Sequence, residues 1–176
     1  MIALTLLYRR ARYGYAFRRI PLTQEKYAIV DPDDFERLNK HKWYAVKRTN
    51  TFYANRNKRA GKKYISIGMH REVIHPPDNL FVDHINHNGL DNRKANLRLA
   101  TYAQNSYNRK QFRKRQTSKY TGVSWIKQIK KWRVIICYNG KKKFIGYFKD
   151  EKQAAKAYDK AAKKYHGEFA SLNFPP

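Results

Sequence analysis

Short runs of alternating apolar and polar residues, broken by turn residues, occupy the chain from Ile20 to His75. "YAIV", "KWYAV", "TFYAN" and "KYISIGMH" carry the period of two that half-buried strands require, and "DDFERLNKH" after Pro32 carries a helical one. Together they predict a small antiparallel sheet with one helix. Pro76, Pro77 and Asp78 stop the pattern, and "LFVDHI" begins a further strand. From Tyr120 the alternation returns in "YTGVSW", "KWRVIICY" and "KKKFIGYF". Asn139-Gly140 separates the last two runs, and both residues accept the positive φ of a type I′ hairpin turn. In "DEKQAAKAYDKAAKKYHG", Ala154, Tyr158, Ala161 and Tyr165 fall on one helical face with Ala155 and Ala162 beside them. Asp150 with Gln153 marks the start of that helix and Gly167 its end. Small side chains on that face let the helix sit close on a three-stranded sheet, with Trp132, Val134 and Ile136 turned toward it and Arg133 away.

This pattern defines an α+β protein of two modules. Residues 1–19 form an N-terminal extension, 20–108 a first domain, 109–119 a linker and 120–176 a second domain. The linker is drawn from "SYNRKQFRKRQTSK", which holds Arg109, Lys110, Arg113, Lys114, Arg115 and Lys119 with no acidic residue. Such a run is either a solvated charge cluster or a segment that follows a phosphate backbone. The whole chain favours the second, because 39 Lys and Arg against 13 Asp and Glu leave a net charge of +26, the footprint of a polyanion binder. Apolar residues at 41% are enough for packed cores, so the charge does not signal disorder. No apolar run approaches the length of a membrane span and no long basic amphipathic helix stands out, which argues against a membrane partner. The single cysteine, Cys137, excludes an intrachain disulfide and a cysteine-cluster zinc site and fits a reducing compartment. In "MIALTLLYRRARYGYAFRR" the positive charges follow the apolar run instead of preceding it, so the segment is expected to be non-targeting and the location cytoplasmic.

The candidate chemistry lies in "FVDHINHNGLDNRKANLRLATYAQN", where Asp83-His84 ends a strand and asparagines crowd the loop that follows. A calcium loop aligned on Gly89 puts His84 where the first Asp belongs and Ala95 where the bidentate Glu belongs, so that chemistry fails. Zinc held by His84 and His87 with His70 or His75 lacks thiolates and a standard spacing. A hard cation such as Mg²⁺ suits Asp83 and the amide oxygen of Asn105, an incomplete shell that substrate phosphates and water would fill. His84 then has the chemistry of a general base, provided the chain bends after it so that both side chains reach one place. Thr101 and Gln104 predict a capping box that begins a helix and fixes Asn105, while Asn96 is placed to bond the loop backbone and hold His84. The same residues also suit an irregular loop that satisfies its own backbone, and side-chain chemistry alone leaves both readings open.

Asp83-His84, Asn96 and Asn105, together with "NLRLAT" and "MHREVI", resemble the His-Asn-His endonucleases, in the homing-endonuclease branch where the last His is replaced by Asn. The resemblance covers roughly Ile20 to Asn108. It implies a ββα-metal (His-Me finger) domain in which Asp83 and Asn105 bind Mg²⁺ or another divalent cation such as Mn²⁺, His84 activates water and Asn96 steadies the loop. His70 is expected to pack or to touch phosphate. "YTGV", "KW", "IGYF", "AAKAYDKAA" and "LNFP" resemble, in order, the APETALA/ethylene-response-factor DNA-binding domain, which implies a sheet laid in the major groove. Thr121, Ser124 and Cys137 stand where plant members carry arginines, so the plant recognition sequence does not carry over.

These readings converge on a homing-type, metal-dependent endonuclease acting on double-stranded DNA. The candidate DNA contacts are Arg98, Arg109, Lys110, Arg113, Lys114, Arg115, Trp125, Lys127, Arg133 and Lys142. One visible centre per chain makes nicking by a monomer the expected outcome. The alternative is a DNA-binding regulator with an inactive nuclease fold; an RNA-binding protein has the charge but no RNA motif in this sequence.

Overall fold

The computed structural model describes residues 2–48, 50–109 and 117–175. It divides into two compact units, Met1–Ala100 and Thr101–Pro176, each taken separately below. Lys110, Arg113, Lys114 and Arg115 lie outside the described residues.

The first unit opens with helix α1 (Ile2–Tyr13), which buries none of its residues. Strands β1 (Arg18–Pro21) and β2 (Tyr27–Val30) pair antiparallel, and α2 (Pro32–Asn39) follows with Pro32 in its first turn, where the missing N–H costs nothing. A second antiparallel sheet has the order β3 (Tyr44–Lys47), β4 (Phe52–Ala60), β5 (Lys63–Gly68). Instead of one sheet from Ile20 to His75, that span therefore holds two. The strand expected through "KYISIGMH" also ends early, because Met69–Ile74 forms α3. Helical spacing puts Met69 and Val73 on one face, and both are buried. The last pair, β6 (Phe81–His84) and β7 (Leu97–Ala100), is antiparallel and flanks the loop 85–96. Ile20, Val30, Leu38, Trp43, Met69, Val82 and Leu97 are among the side chains of a shared core, and the Trp43 indole N–H donates to the Leu38 carbonyl at 2.8 Å.

The second unit begins with α4 (Tyr102–Tyr107), opened by the expected capping box between Thr101 and Gln104. Strands β8 (Val123–Ile126), β9 (Lys131–Tyr138) and β10 (Lys141–Phe148) form one antiparallel sheet with β9 central, and α5 (Glu151–His166) packs on it. Asn139 and Gly140 take positive φ at the hairpin, as their types require. Asp150 accepts the Gln153 N–H at 2.7 Å and Gly167 ends α5 with φ 56°. Val134 and Ile136 are buried under Ala154, Ala155, Ala161 and Ala162, and Trp132 packs at the margin of that core. The "LNFP" tail is tied to α5 by Asp159, which accepts the N–H groups of Asn173 and Phe174.

Gly122 has φ +75°, and a Cβ there would meet the Tyr158 ring at 2.1 Å and the Ile135 carbonyl at 2.9 Å; Gly140 has nearly the same φ and open space. Gly122→Ala should therefore destabilise the second unit by about 2–5 kcal/mol, strain and overpacking together, against about 1 kcal/mol for Gly140→Ala. Denaturant unfolding of the full chain measures both, and equal losses would contradict this packing.

Candidate active site

The β6–β7 ladder sets Asp83 opposite Arg98 and His84 opposite Leu97. Asp83 and His84 are both buried, although strand geometry sends neighbours to opposite faces. Arg98 donates to Asp83 Oδ2 from Nε at 2.9 Å and from its terminal nitrogen at 2.8 Å. This charge-assisted fork fixes the carboxylate direction. Arg98, a candidate DNA contact, thus has its guanidinium on Asp83.

The ladder ends at His84, where the chain turns, with the His87 N–H donating to the His84 carbonyl at 3.0 Å and His87 at φ 63°. Asn96 closes the loop from both sides: its side-chain oxygen accepts the Asn86 N–H at 3.0 Å and its amide donates to the Asp91 carbonyl at 2.8 Å. Backbone bonds to β2, from Ile29 N–H to Leu90 and from Asn92 N–H to Ile29, each 2.8 Å, tie the middle of the loop down. Asp91, 2% exposed, takes both arms of Arg93 at 2.8 and 2.6 Å and a bond from the Asn86 amide. Arg93 also lies over the Tyr15 ring at 3.4 Å. At the exit, Lys94 donates its N–H to Asp31 at 2.7 Å and pairs through Nζ with Asp34 at 2.9 Å. Sequence reading missed Asp91, Asn92 and Arg93, because nothing local marks an Asp and an Arg two apart as a buried pair.

Three rings meet at the imidazole: His84 lies 5.2 Å from His70 and 5.6 Å from Tyr53, all edge-on. Gly89 permits this packing, since a Cβ there would strike the Phe52 carbonyl at 2.5 Å and the Tyr53 ring at 2.7 Å. Burial holds His84 below the ordinary histidine range, opposed by Asn92 and by the carboxylates of Asp83 and Asp91. Asn92 is fully buried and its side chain favours the charged ring, yet that side chain completes no hydrogen bond of good geometry. Burial, then the charge of His84 and that of Arg71, push His70 down to about 3, and its Nδ1 has no hydrogen-bond partner. Both imidazoles are therefore neutral near pH 7, the form in which a histidine accepts a proton.

Among the described residues no group of three or more His, Cys, Asp or Glu could hold a metal ion. The donor chemistry here is the buried Asp83 carboxylate beside an imidazole, with Asp91 taken by Arg93 and Asn86; this fits a hard cation whose shell the substrate completes and does not fit an all-protein cage. Asn105, the second expected ligand, is half-buried on α4 in the second unit, and the Asn105 N–H bonds the Thr101 carbonyl at 2.9 Å.

In the second unit a groove of about 510 Å³ brings together Arg109, Trp125, Arg133 and Lys142, four of the expected DNA contacts. Ser124, Arg133 and Tyr147 stand abreast across the three strands, with Arg133 Nε 3.3 Å from the Ser124 hydroxyl. Trp125 is half-buried, 5.0 Å from Trp132, and Lys127 is exposed in the short turn after β8.

Residues 75–107 match the family model described as HNH endonuclease. An uncharacterised HNH endonuclease of Acanthamoeba polyphaga mimivirus is 33% identical over 147 residues, 84% of this chain and 74% of that protein. The chain belongs to the HNH endonuclease family, whose members generally depend on a divalent metal and whose substrate is DNA. Protein 3.8 of Escherichia phage T7 is 40% identical over 65 residues, 37% of this chain and 53% of that protein. An AP2-like ethylene-responsive transcription factor of Arabidopsis thaliana is 36% identical over 83 residues, 47% of this chain and 27% of that protein. No solved structure matches the chain significantly.

Between pH 6.5 and about 3 an unfolded His70 holds a proton that the folded one does not, so stability falls as pH falls through that window and is unaffected by this group above it. One such group contributes a slope of roughly 1.4 kcal/mol per pH unit. Denaturation of wild type and His70→Phe at pH 7, 5.5 and 4.5 should show a shallower acid loss in the variant, and equal slopes would contradict the neutral buried ring.

Proposed function

We propose that this protein is a homing-type, metal-dependent endonuclease that hydrolyses a phosphodiester bond of double-stranded DNA, with the second unit an AP2/ERF-like module that selects where it cuts. The observation that carries this reading is the buried imidazole of His84 at a strand end, beside the fixed carboxylate of Asp83 and under a loop stapled by Asn96. Asp83 would hold the cation, with Asn105 as the second oxygen donor that the family resemblance implies. Bound Mg²⁺ or Mn²⁺ would neutralise charge on the scissile phosphate and the departing oxygen. His84 takes a proton from the attacking water at a ring nitrogen, and burial favours the unprotonated ring that this step needs. Asn96 acts through the loop, holding the backbone on either side of His84. Arg109, Trp125, Arg133 and Lys142 meet DNA along one groove of the second unit. Arg98 serves Asp83 instead.

The Arg98 fork on Asp83 also supports a second reading, a DNA-binding regulator whose carboxylate is only a structural ion-pair partner. Plasmid nicking separates the two. With Mg²⁺ the wild type should relax supercoiled DNA and EDTA should stop it. His84→Ala should lose about 10²–10⁴ in rate, the usual share of a general base, with its affinity for DNA unchanged within twofold. DNA binding without cutting by the wild type in Mg²⁺ or Mn²⁺ establishes the regulator, and near-wild-type cutting by His84→Ala removes that residue from the chemistry.

A further inference from the structure

Residues 57–66 of the first unit, the outer half of the β4–β5 hairpin, are exposed without a break. From Phe52 to Gly68 there are five cations and no acidic residue. Arg56 is paired with Glu72, whereas Lys58, Arg59, Lys62 and Lys63 form no ion pair among the described residues. The register sets Arg59 opposite Tyr64, Asn57 opposite Ser66 and Lys58 opposite Ile65. Paired residues share a face and neighbours alternate, so Tyr53, Asn55, Asn57 and Arg59 line one side of β4 with Tyr64 and Ser66 of β5 beside them.

Tyr53 is the residue whose ring packs on His84. The face that starts at the candidate catalytic histidine therefore runs without interruption to the hairpin tip. Polar bonds order its middle: the Tyr44 hydroxyl donates to the Asn57 side-chain oxygen at 2.8 Å and lies 3.2 Å from the Ser66 hydroxyl, and the Asn55 amide donates to Ser66 at 2.9 Å. Asn57 thus keeps its NH₂ as a donor. Arg59 gives Nε to the Gly61 carbonyl at 3.2 Å, which leaves the terminal nitrogens of its fork. At the tip Tyr64 is 71% exposed.

We infer that this hairpin is a DNA-reading ribbon of the nuclease unit: it enters the major groove beside the cut site, with Asn57 and Arg59 on base edges and the flanking lysines on phosphates. The major groove is about 12 Å wide and admits a two-stranded ribbon, and arginine forks and asparagine amides are the side chains suited to purine edges. From Tyr53 to Arg59 the strand spans about 20 Å at 3.3 Å per residue. That is roughly six base pairs, so the bases read lie within about three to seven pairs of the bond facing His84. The inference rests on the nuclease reading for its substrate and adds a reading site outside the matched segment 75–107.

The test binds the full chain to a randomised duplex library in EDTA, where no cutting occurs, and sequences the bound pool. The same proteins are assayed separately for plasmid nicking in Mg²⁺. Asn57→Ala/Arg59→Ala should flatten the preference at one to three base pairs on one side by about tenfold. Arg59→Lys, which keeps the charge and removes the fork, should flatten a subset of the same positions. Lys58→Ala/Lys63→Ala, on the other face, should weaken all sequences alike and lower the salt slope by up to about 2 while leaving the preference intact. An unchanged preference in both Asn57→Ala/Arg59→Ala and Arg59→Lys overturns the hairpin as a reader, even if nicking is normal. Loss of preference from the bound pool together with a wild type that never nicks supports the hairpin and overturns the nuclease reading.

Discussion

The two hydrogen bonds of the Asn96 side chain are the constraint on which the candidate centre rests. One holds the Asn86 N–H and the other the Asp91 carbonyl, so a single amide spans the loop that begins directly after His84. Asn96 is itself buried, and an amide buried without partners costs free energy, so only a closed loop satisfies it. Its position in a short 3-10 turn just before β7 couples the loop to the ladder that carries Asp83 and His84. The edge of β2 and the start of α2 then hold the loop from outside, and the Thr51 hydroxyl, just before β4, accepts the Gly89 N–H at 3.1 Å.

Acidic residues are scarce in this chain, and the structure keeps several of them inside. Asp34, Asp83 and Asp91 are buried and each is matched by Lys or Arg. Removing one partner from such a pair is far costlier than the pair is stabilising, since it leaves a charge without compensation in a poor solvent. The functional consequence lies outside. With these three acids paired inside, the excess of 39 Lys and Arg over 13 Asp and Glu gives a field of one sign, which draws a polyanion toward the centre and sets the salt dependence of its binding.

The second unit was legible in the sequence almost element by element, because turn chemistry marked its boundaries. Asn139-Gly140 has one hairpin geometry open to it, Asp150 caps at a fixed offset, and alanines on one face of α5 admit one close packing. The first unit was less so. The strand-to-helix change at Gly68 has no local signal beyond the burial of Met69 and Val73, which depends on the rest of the core. Likewise Arg98 was read as a cation available to phosphate, when the register places it opposite Asp83. Cross-strand partners and the Asp91–Arg93 pair become visible only once residues distant in sequence are brought together. The Asp-His pair, Asn96 and the Thr101 cap were recognisable because their spacing is local.

The role proposed for Asn96 is to hold the loop that positions His84. Amide hydrogen exchange at Ile85 and Asn86, recorded on Asn96→Ala alongside its single-turnover nicking rate, tests it most directly. Both amides should lose protection while the β8–β10 sheet keeps its own, and the nicking rate should fall in step. A large loss of nicking with full protection at Ile85 and Asn86 would contradict it and make Asn96 a direct participant in the chemistry.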